Sequence, residues 1–187
     1  MNEAVKQNCK MIVALVGASA TGKSTVERLL QDEYGMRRAI SCTTRPKRHY
    51  EEHGVDYYFV TNKEVEEMSQ EGLLVERTLF NSWDYCLTLA EFEDSDVVVI
   101  EPNGLRQIIE NVGRENVFVV YLTYPDKERL IRSLVARDDD NVGEVIRRFK
   151  ADQEDMKGME QVADVVINNH DSNKTASLIN AMIKVLK

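Results

Sequence analysis

The sequence predicts an α/β protein with a three-layer, doubly wound parallel sheet, and three observations predict it. Short, nearly continuous apolar runs recur along the chain, as strands buried on both faces of a parallel sheet require. Between successive runs lie helical stretches long enough to cross back over a sheet. The first run leads into a glycine-rich turn that opens a helix, the strand-loop-helix arrangement of a phosphate-binding loop.

Lys10–Val16 (KMIVALV) reads as the first strand, followed by a helix from Lys23 to about Glu33. Further buried strands are expected at Val97–Ile100, Val117–Leu122 and Val165–Ile167. Pro125 stands at a helical first-turn position with Asp126 and Glu128 behind it, where its missing N–H costs nothing and the acids face the positive end of the helix dipole. Asp171 or Ser172 caps the C-terminal helix, in which Ala176, Ile179, Ile183 and Leu186 form an apolar stripe expected in the core. Between Ser41 and Thr88 the pattern changes: DYYFV, a T-x-x-E capping box at Thr61 to Glu64, a short acidic helix and the strand LLVERTLF predict an inserted flap. The irregular RDDDNVG from Arg137 to Gly143 is read as a lid. The expected organisation is a single domain over 1–187, with a core of 10–40 and 95–187, a flap at about 41–90 and a lid at about 137–147.

A chain of 187 residues with 43% hydrophobic and 30% charged content has the composition of a globular domain rather than of a disordered or fibrous one. No apolar run is long enough for a membrane span, and MNEAVKQNCK lacks the apolar stretch of a signal peptide, so a cytoplasmic location is expected. Cys9, Cys42 and Cys86 have neither CxxC nor zinc-ligand spacing and read as plain thiols. A net charge of -8 disfavours nonspecific binding to nucleic acid or an anionic membrane, so any anionic substrate must meet a local cluster of cations.

Gly17–Ser24 (GASATGKS) matches G-x-x-x-x-G-K-[ST] in full. Its glycines let the backbone close around an anion, and N–H groups from Gly17, Ala18, Ser19, Ala20, Thr21, Gly22, Lys23, Ser24 and Thr25 point into the concavity at a helix N-terminus. Lys23 is expected to reach the β- and γ-phosphates of ATP, and the Ser24 hydroxyl to ligate Mg2+. The motif alone does not choose between kinase, ATPase and GTPase.

Ser41–Arg48 reads SCTTRPKR, followed by Gly54-Val55-Asp56-Tyr57-Tyr58-Phe59, then Leu74-Val75-Glu76 and Asp84-Tyr85. Two arginines three apart with tyrosines nearby can clamp a phosphate through forked guanidinium and phenol donors, although an isolated RPKR reads rather as a solvated basic loop. Together these segments resemble guanylate kinases, over nearly the full chain from about residue 11 to 187. That family carries S-x-x-T-R-x-x-R, G-x-D-Y-x-F, an acid closing a hydrophobic strand, and a tyrosine nine residues later. The resemblance implies a GMP or dGMP site in which Arg45, Arg48, Tyr57 and Tyr85 hold the monophosphate while Ser41, Glu76 and Glu101 read the base. The chemistry agrees: guanine offers N1–H and its 2-amino group to one carboxylate, whereas adenine has an acceptor at N1 and no 2-amino group. The resemblance also places Arg137 on the lid, Arg148 at a catalytic position beside Arg147, and Asn168 of VVINN against the ATP adenine. Together with Lys23, Arg137 and Arg148 then form the expected catalytic set, Arg132 and Arg147 being ordinary surface charges.

Departures cluster around the base. Cys86-Leu87-Thr88 stand where the family has glycine and then a hydroxyl residue; Thr88 either supplies that hydroxyl or, in T-L-A-E, caps a helix. Glu101 replaces an aspartate and either accepts a hydrogen bond or lies near magnesium, and Val99 replaces another aspartate. Arg77 stands where tryptophan is common, and Ser133 where arginine is common. Rival readings are a P-loop kinase of a sugar phosphate such as ribose 1,5-bisphosphate, a non-catalytic interaction module of the same fold, and a P-loop ATPase or switch. The assembly is expected to be a monomer or homodimer.

Overall fold

The computed structural model describes residues 10–80, 82–124 and 150–186. In chain order its elements are β1 (Ile12–Val16), α1 (Lys23–Tyr34), β2 (Cys42–Thr43), β3 (Tyr58–Phe59), α2 (Asn62–Gln70), β4 (Leu74–Phe80), β5 (Trp83–Thr88), α3 (Leu89–Asp94), β6 (Val97–Val99), α4 (Pro102–Val112), a 3-10 turn (Arg114–Asn116), β7 (Val117–Thr123), α5 (Met159–Val162), β8 (Val165–Asn168) and α6 (Ser172–Leu186). Residues 150–155 are also helical. The described chain divides into two units, one made of Arg37–Val117 with the stretch ending at Val13, the other of Ala14–Met36 with the stretch starting at Phe118.

In the second unit the strands run in the order β1-β7-β8. β7 and β8 pair in parallel from Val120↔Val165 to Thr123↔Asn168. All five residues of β1 are buried, as the continuous apolar run predicts for a strand covered on both faces. Helix α1 packs on α6, burying Val26 and Leu30 of the one and Ala176, Ile179 and Ile183 of the other. α1 stops at Gly35, which takes the left-handed conformation (φ 68°). Its N–H returns to the Gln31 carbonyl at 3.0 Å and the Met36 N–H to Leu30 at 3.1 Å, which satisfies the last-turn carbonyls. Asp171 caps α6, its Oδ1 accepting from the N–H of Asn173 (3.0 Å) and Lys174 (3.3 Å). Leu186, expected in the core, is instead 53% exposed because it lies in the last turn of α6, beyond Ile183.

In the first unit β6 neighbours β1, where the Val13 N–H donates to the Asp96 carbonyl at 2.8 Å. The stretch expected as a flap forms a four-stranded mixed sheet in the order β3-β2-β5-β4. β3 runs parallel to β2, and β2 and β4 both run antiparallel to β5. One face of this sheet packs Cys42 and Cys86, paired across β2 and β5, against Val65 of α2, with Tyr58, Val60, Met68 and Leu74 around them. The full capping box forms at α2: Thr61 Oγ1 accepts from the Glu64 N–H, and the Glu64 carboxylate accepts from the Thr61 N–H. The T-L-A-E box is only half made. Thr88 Oγ1 accepts from the Glu91 N–H, but the Glu91 carboxylate turns to the Ile40 N–H at 3.1 Å and to Arg37.

Cys9, the helix expected to open at Pro125 with Asp126 and Glu128, and the segment read as a lid lie outside the described residues. No described helix is long and apolar enough to cross a membrane.

Candidate functional site

The glycine-rich loop is shaped by what its two fixed glycines touch. A Cβ on Gly17 would stand 2.4 Å from the Leu122 carbonyl oxygen of β7. At Gly22 it would stand 2.4 Å from Asn169 Nδ2, and φ there is +89°, so both positions exclude a side chain. Thr21, buried, closes the turn by donating from Oγ1 to the Ala18 carbonyl at 2.8 Å. Asn169, also buried, donates from Nδ2 to the Thr21 carbonyl at 2.8 Å and accepts from Thr175 Oγ1 at 2.9 Å, tying the loop to α6. Ala20 sits at φ 62°, a conformation that costs a residue with a Cβ roughly 1–2 kcal/mol.

The donors of this loop curl onto nearby acceptors. Lys23 Nζ donates to the carbonyls of Gly17 (2.7 Å) and Ala18 (2.9 Å). The Ser19 N–H donates to Asp152 Oδ2 at 2.7 Å. Ser24 and Thr25 follow in the first turn of α1, both exposed. Asn168 ends β8, exposed, with its carbonyl accepting from the His170 N–H. Arg132, Ser133, Arg137, Arg147 and Arg148 lie outside the described residues.

Of the second group of predicted residues, Ser41, Tyr57, Glu76 and Tyr85 gather on one face of the mixed sheet, where a β-bulge puts the central acid, while Thr88 pairs with Leu74 of the apolar face. Leu74 pairs with Thr88, but Glu76 pairs with Leu87 instead of Cys86. The extra residue, Val75, reverses the alternation, so Leu74 faces the apolar cluster with Cys86 while Glu76 joins Thr78, Tyr85 and Leu87 on the opposite face. Ser41 precedes Cys42 in β2 and shares that face by the same alternation, and its carbonyl accepts from the Tyr58 N–H. Helix α4 holds the bulge in place. Asn111 Nδ2 donates to the Val75 carbonyl at 2.9 Å, and Gln107 exchanges two hydrogen bonds with the Arg77 backbone at 3.0 and 3.1 Å. These amides cover the free edge of β4.

Glu76 is 6% exposed, and burial pushes its carboxyl up to about 7; Thr78 Oγ1, donating at 3.1 Å, opposes that rise, while the Glu101 charge adds to it. Leu87, fully buried, stands directly opposite. A Cβ on Gly104 would come within 3.0 Å of Glu76 Oε2, so glycine there leaves room for the carboxylate. Glu101 is the exposed N-cap of α4 and makes no side-chain cap. Thr88 is committed to capping α3.

Beside this acid lies the basic group. Arg45 sits 5.5 Å above the Tyr57 ring and donates from Nε to Tyr85 Oη at 3.3 Å; the two tyrosine rings meet edge to face at 5.9 Å. Its fork closes on Glu51, with Nη1 to Oε2 at 3.0 Å and Nη2 to Oε1 at 2.7 Å. Glu51 also accepts from the Arg48 N–H at 2.8 Å, and Arg48 Nη1 donates to Tyr50 Oη at 3.0 Å. The Arg45 hydrogen bonds hold the buried Glu51 carboxyl below the usual carboxylate range.

Glu51, Thr78, Gln107, Asn111, Asp152 and Asn169 belong to these arrangements and escape a reading of the sequence alone. Their only sequence signals are an acid six residues after Arg45 in a basic loop, and two amides spaced i, i+4 on a helix.

A family model described as guanylate kinase matches residues 9–186. The chain is 30% identical over 184 residues to a guanylate kinase of Wolbachia sp. subsp. Brugia malayi, covering 95% of this chain and 93% of that one. It is 33% identical over 166 residues to a guanylate kinase of Lactococcus lactis, covering 85% and 80%. A crystal structure of guanylate kinase from Anaplasma phagocytophilum superposes with a TM-score of 0.69 at 23% identity, covering 95% of this chain and 86% of that one.

Proposed function

The chain belongs to the guanylate kinase family, and from that premise we propose that it transfers the γ-phosphoryl of ATP to GMP or dGMP, giving ADP and the corresponding diphosphate. The observation that carries the reading is the sheet face on which a buried Glu76 stands beside Thr78 and Tyr85, with Arg45 reaching that tyrosine. A carboxylate poised near neutrality is stabilised by the N1–H and 2-amino donors of guanine, whereas adenine leaves it buried and unpaired, a mismatch costing on the order of 10² or more in kcat/KM.

Arg45, Arg48, Tyr57 and Tyr85 take the monophosphate. Among the described residues the Arg45 donors already engaged go to Pro46, Glu51 and Tyr85, which leaves one Nη2 N–H and the long Tyr85 contact for a phosphate oxygen. Ser41, Glu76 and Glu101 face the base; Leu87 supplies no hydroxyl there, and Thr88 is left only its hydroxyl proton to give. Residues 17–25 cradle the triphosphate, with Lys23 exchanging the Gly17 and Ala18 carbonyls for phosphate oxygens and Asn168 beside the adenine. Arg137 and Arg148 complete the charge stabilisation.

Family membership implies a divalent metal, and the site fits Mg2+: an exposed hard hydroxyl oxygen, Ser24, follows Lys23 in the first turn of α1, leaving the other positions to phosphate oxygens and water. When bound, the ion neutralises charge on the transferring phosphoryl group. The acceptor is already an anion, so no general base is required; the chain binds, orients and excludes water. The proposal includes one domain with a flap at about 41–90 and a lid at about 137–147, a monomer or homodimer in the cytoplasm where ATP is available, and no nucleic-acid partner.

A coupled ADP-release assay across GMP, dGMP, AMP, UMP and ribose 1,5-bisphosphate tests this. Turnover is expected with GMP or dGMP only; equal turnover of AMP would remove the role given to Glu76.

A further inference from the structure

The Ser19 N–H belongs to the loop that takes the phosphates, yet it is already engaged by a charged acceptor, Asp152 Oδ2, at 2.7 Å. Asp152 stands in the helical residues 150–155, half-buried against the loop, and with Ala18 and Thr21 it lines a cavity of about 510 Å³. A carboxylate on a loop amide repeats the chemistry of a phosphate oxygen: an anionic acceptor receiving a charge-assisted hydrogen bond from backbone N–H. Among the described residues no lysine or arginine pairs with Asp152. Its acceptor and an incoming phosphate need the same donor, and both are negative.

We propose that Asp152 is an internal competitor for the phosphate cradle, which sets the affinity for ATP and shuts out single phosphates. The inference rests on reading Gly17–Thr25 as the ATP site. A triphosphate displaces the carboxylate because it gains many donors at once, among them Lys23, whose bonds to the Gly17 and Ala18 carbonyls are exchanged for bonds to charged phosphate oxygens. Inorganic phosphate offers too few contacts to repay the exchange. Asp152 is therefore an affinity-determining residue that acts in the absence of substrate and leaves the loop when substrate binds.

The test is calorimetric binding of ATP, GMP and inorganic phosphate to the full chain, with Asp152→Ala and Asp152→Asn beside it, and steady-state kinetics on the same proteins. Removing a charge-assisted hydrogen bond that must be broken on binding is expected to tighten ATP about tenfold in Asp152→Ala and less in Asp152→Asn, which keeps a neutral acceptor. KM for ATP falls with it, the GMP affinity is unchanged, and inorganic phosphate becomes a measurable competitor of ATP in the alanine variant only. Unchanged or weaker ATP binding in Asp152→Ala would overturn the inference, because the carboxylate would then support the loop rather than occupy it. If the wild-type chain bound no ATP, both the reading of the loop and this inference would fall; ATP binding without the variant effect sinks the inference alone.

Discussion

In the loop of Gly17–Ser24 the shape is carried by backbone, whereas on the face of β2, β3, β4 and β5 it is carried by strand register. The loop needs two positions without side chains, one against the Leu122 carbonyl and one against Asn169, and its donors are main-chain N–H groups and one lysine. The sheet face needs residues far apart in sequence brought to one side by pairing, and a single bulged residue, Val75, decides whether Glu76 faces Tyr85 or the apolar cluster. A site made of contiguous backbone should lose function without losing stability when a side chain is cut. A site made of register should lose both together.

Lys23→Ala gives the largest expected effect and the cleanest separation. Turnover falls by about 10³-fold, while far-ultraviolet circular dichroism and the unfolding midpoint stay at wild-type values. Glu51→Gln should show the opposite behaviour on the sheet side. It breaks a buried forked pair and releases Arg45, costing about 3 kcal/mol in urea unfolding and raising KM for GMP about tenfold. Because the Glu51 carboxyl titrates below its ordinary range in the folded chain, its stabilisation is present above that range and is lost as pH falls; the gap between wild type and Glu51→Gln should close in acid. Asn111→Ala frees the carbonyl of the bulged residue and should cost about 1–2 kcal/mol, with kcat/KM for GMP lowered about fivefold and ATP binding untouched. Ala20→Gly is the smallest change, stabilising the chain by up to about 1 kcal/mol through relief of the left-handed backbone.

The same contrast explains which features are legible in the amino-acid sequence. The loop, its helix and the Thr61–Glu64 box are local: spacing over a few residues carries the physics, and the elements form where the spacing puts them. The parallel strands are legible because burial on both faces leaves an unbroken apolar run. Glu76 and Tyr85 can be named, but not the bulge that sets the face of Glu76, because Leu74, Val75 and Glu76 look the same whether or not Val75 is accommodated. Gln107 and Asn111 act through partners that no short window contains, whereas Glu51 meets Arg45 and Arg48 within a few residues, where nothing in the sequence tells it from Glu52 beside it. Leu186 fits the helical stripe, and only the end of the packing surface excludes it. Glu91 fits a capping box, and a distant N–H at Ile40 claims it instead.

The central claim is that the carboxylate of Glu76, charged, reads the guanine base, and the pH dependence of kcat/KM for GMP tests it most directly. Burial lifts the carboxyl from 4.5 to about 7, so the stabilisation that the neutral form gives the folded chain is full below about 4.5 and is lost by about pH 7. Guanine recognition needs the charged form and gains as pH rises through about 7. Wild-type kcat/KM should therefore climb as pH rises through about 7 and then level off, while Glu76→Gln stays low and flat across it. A climb of equal size in both proteins, or none in the wild type, would contradict the account.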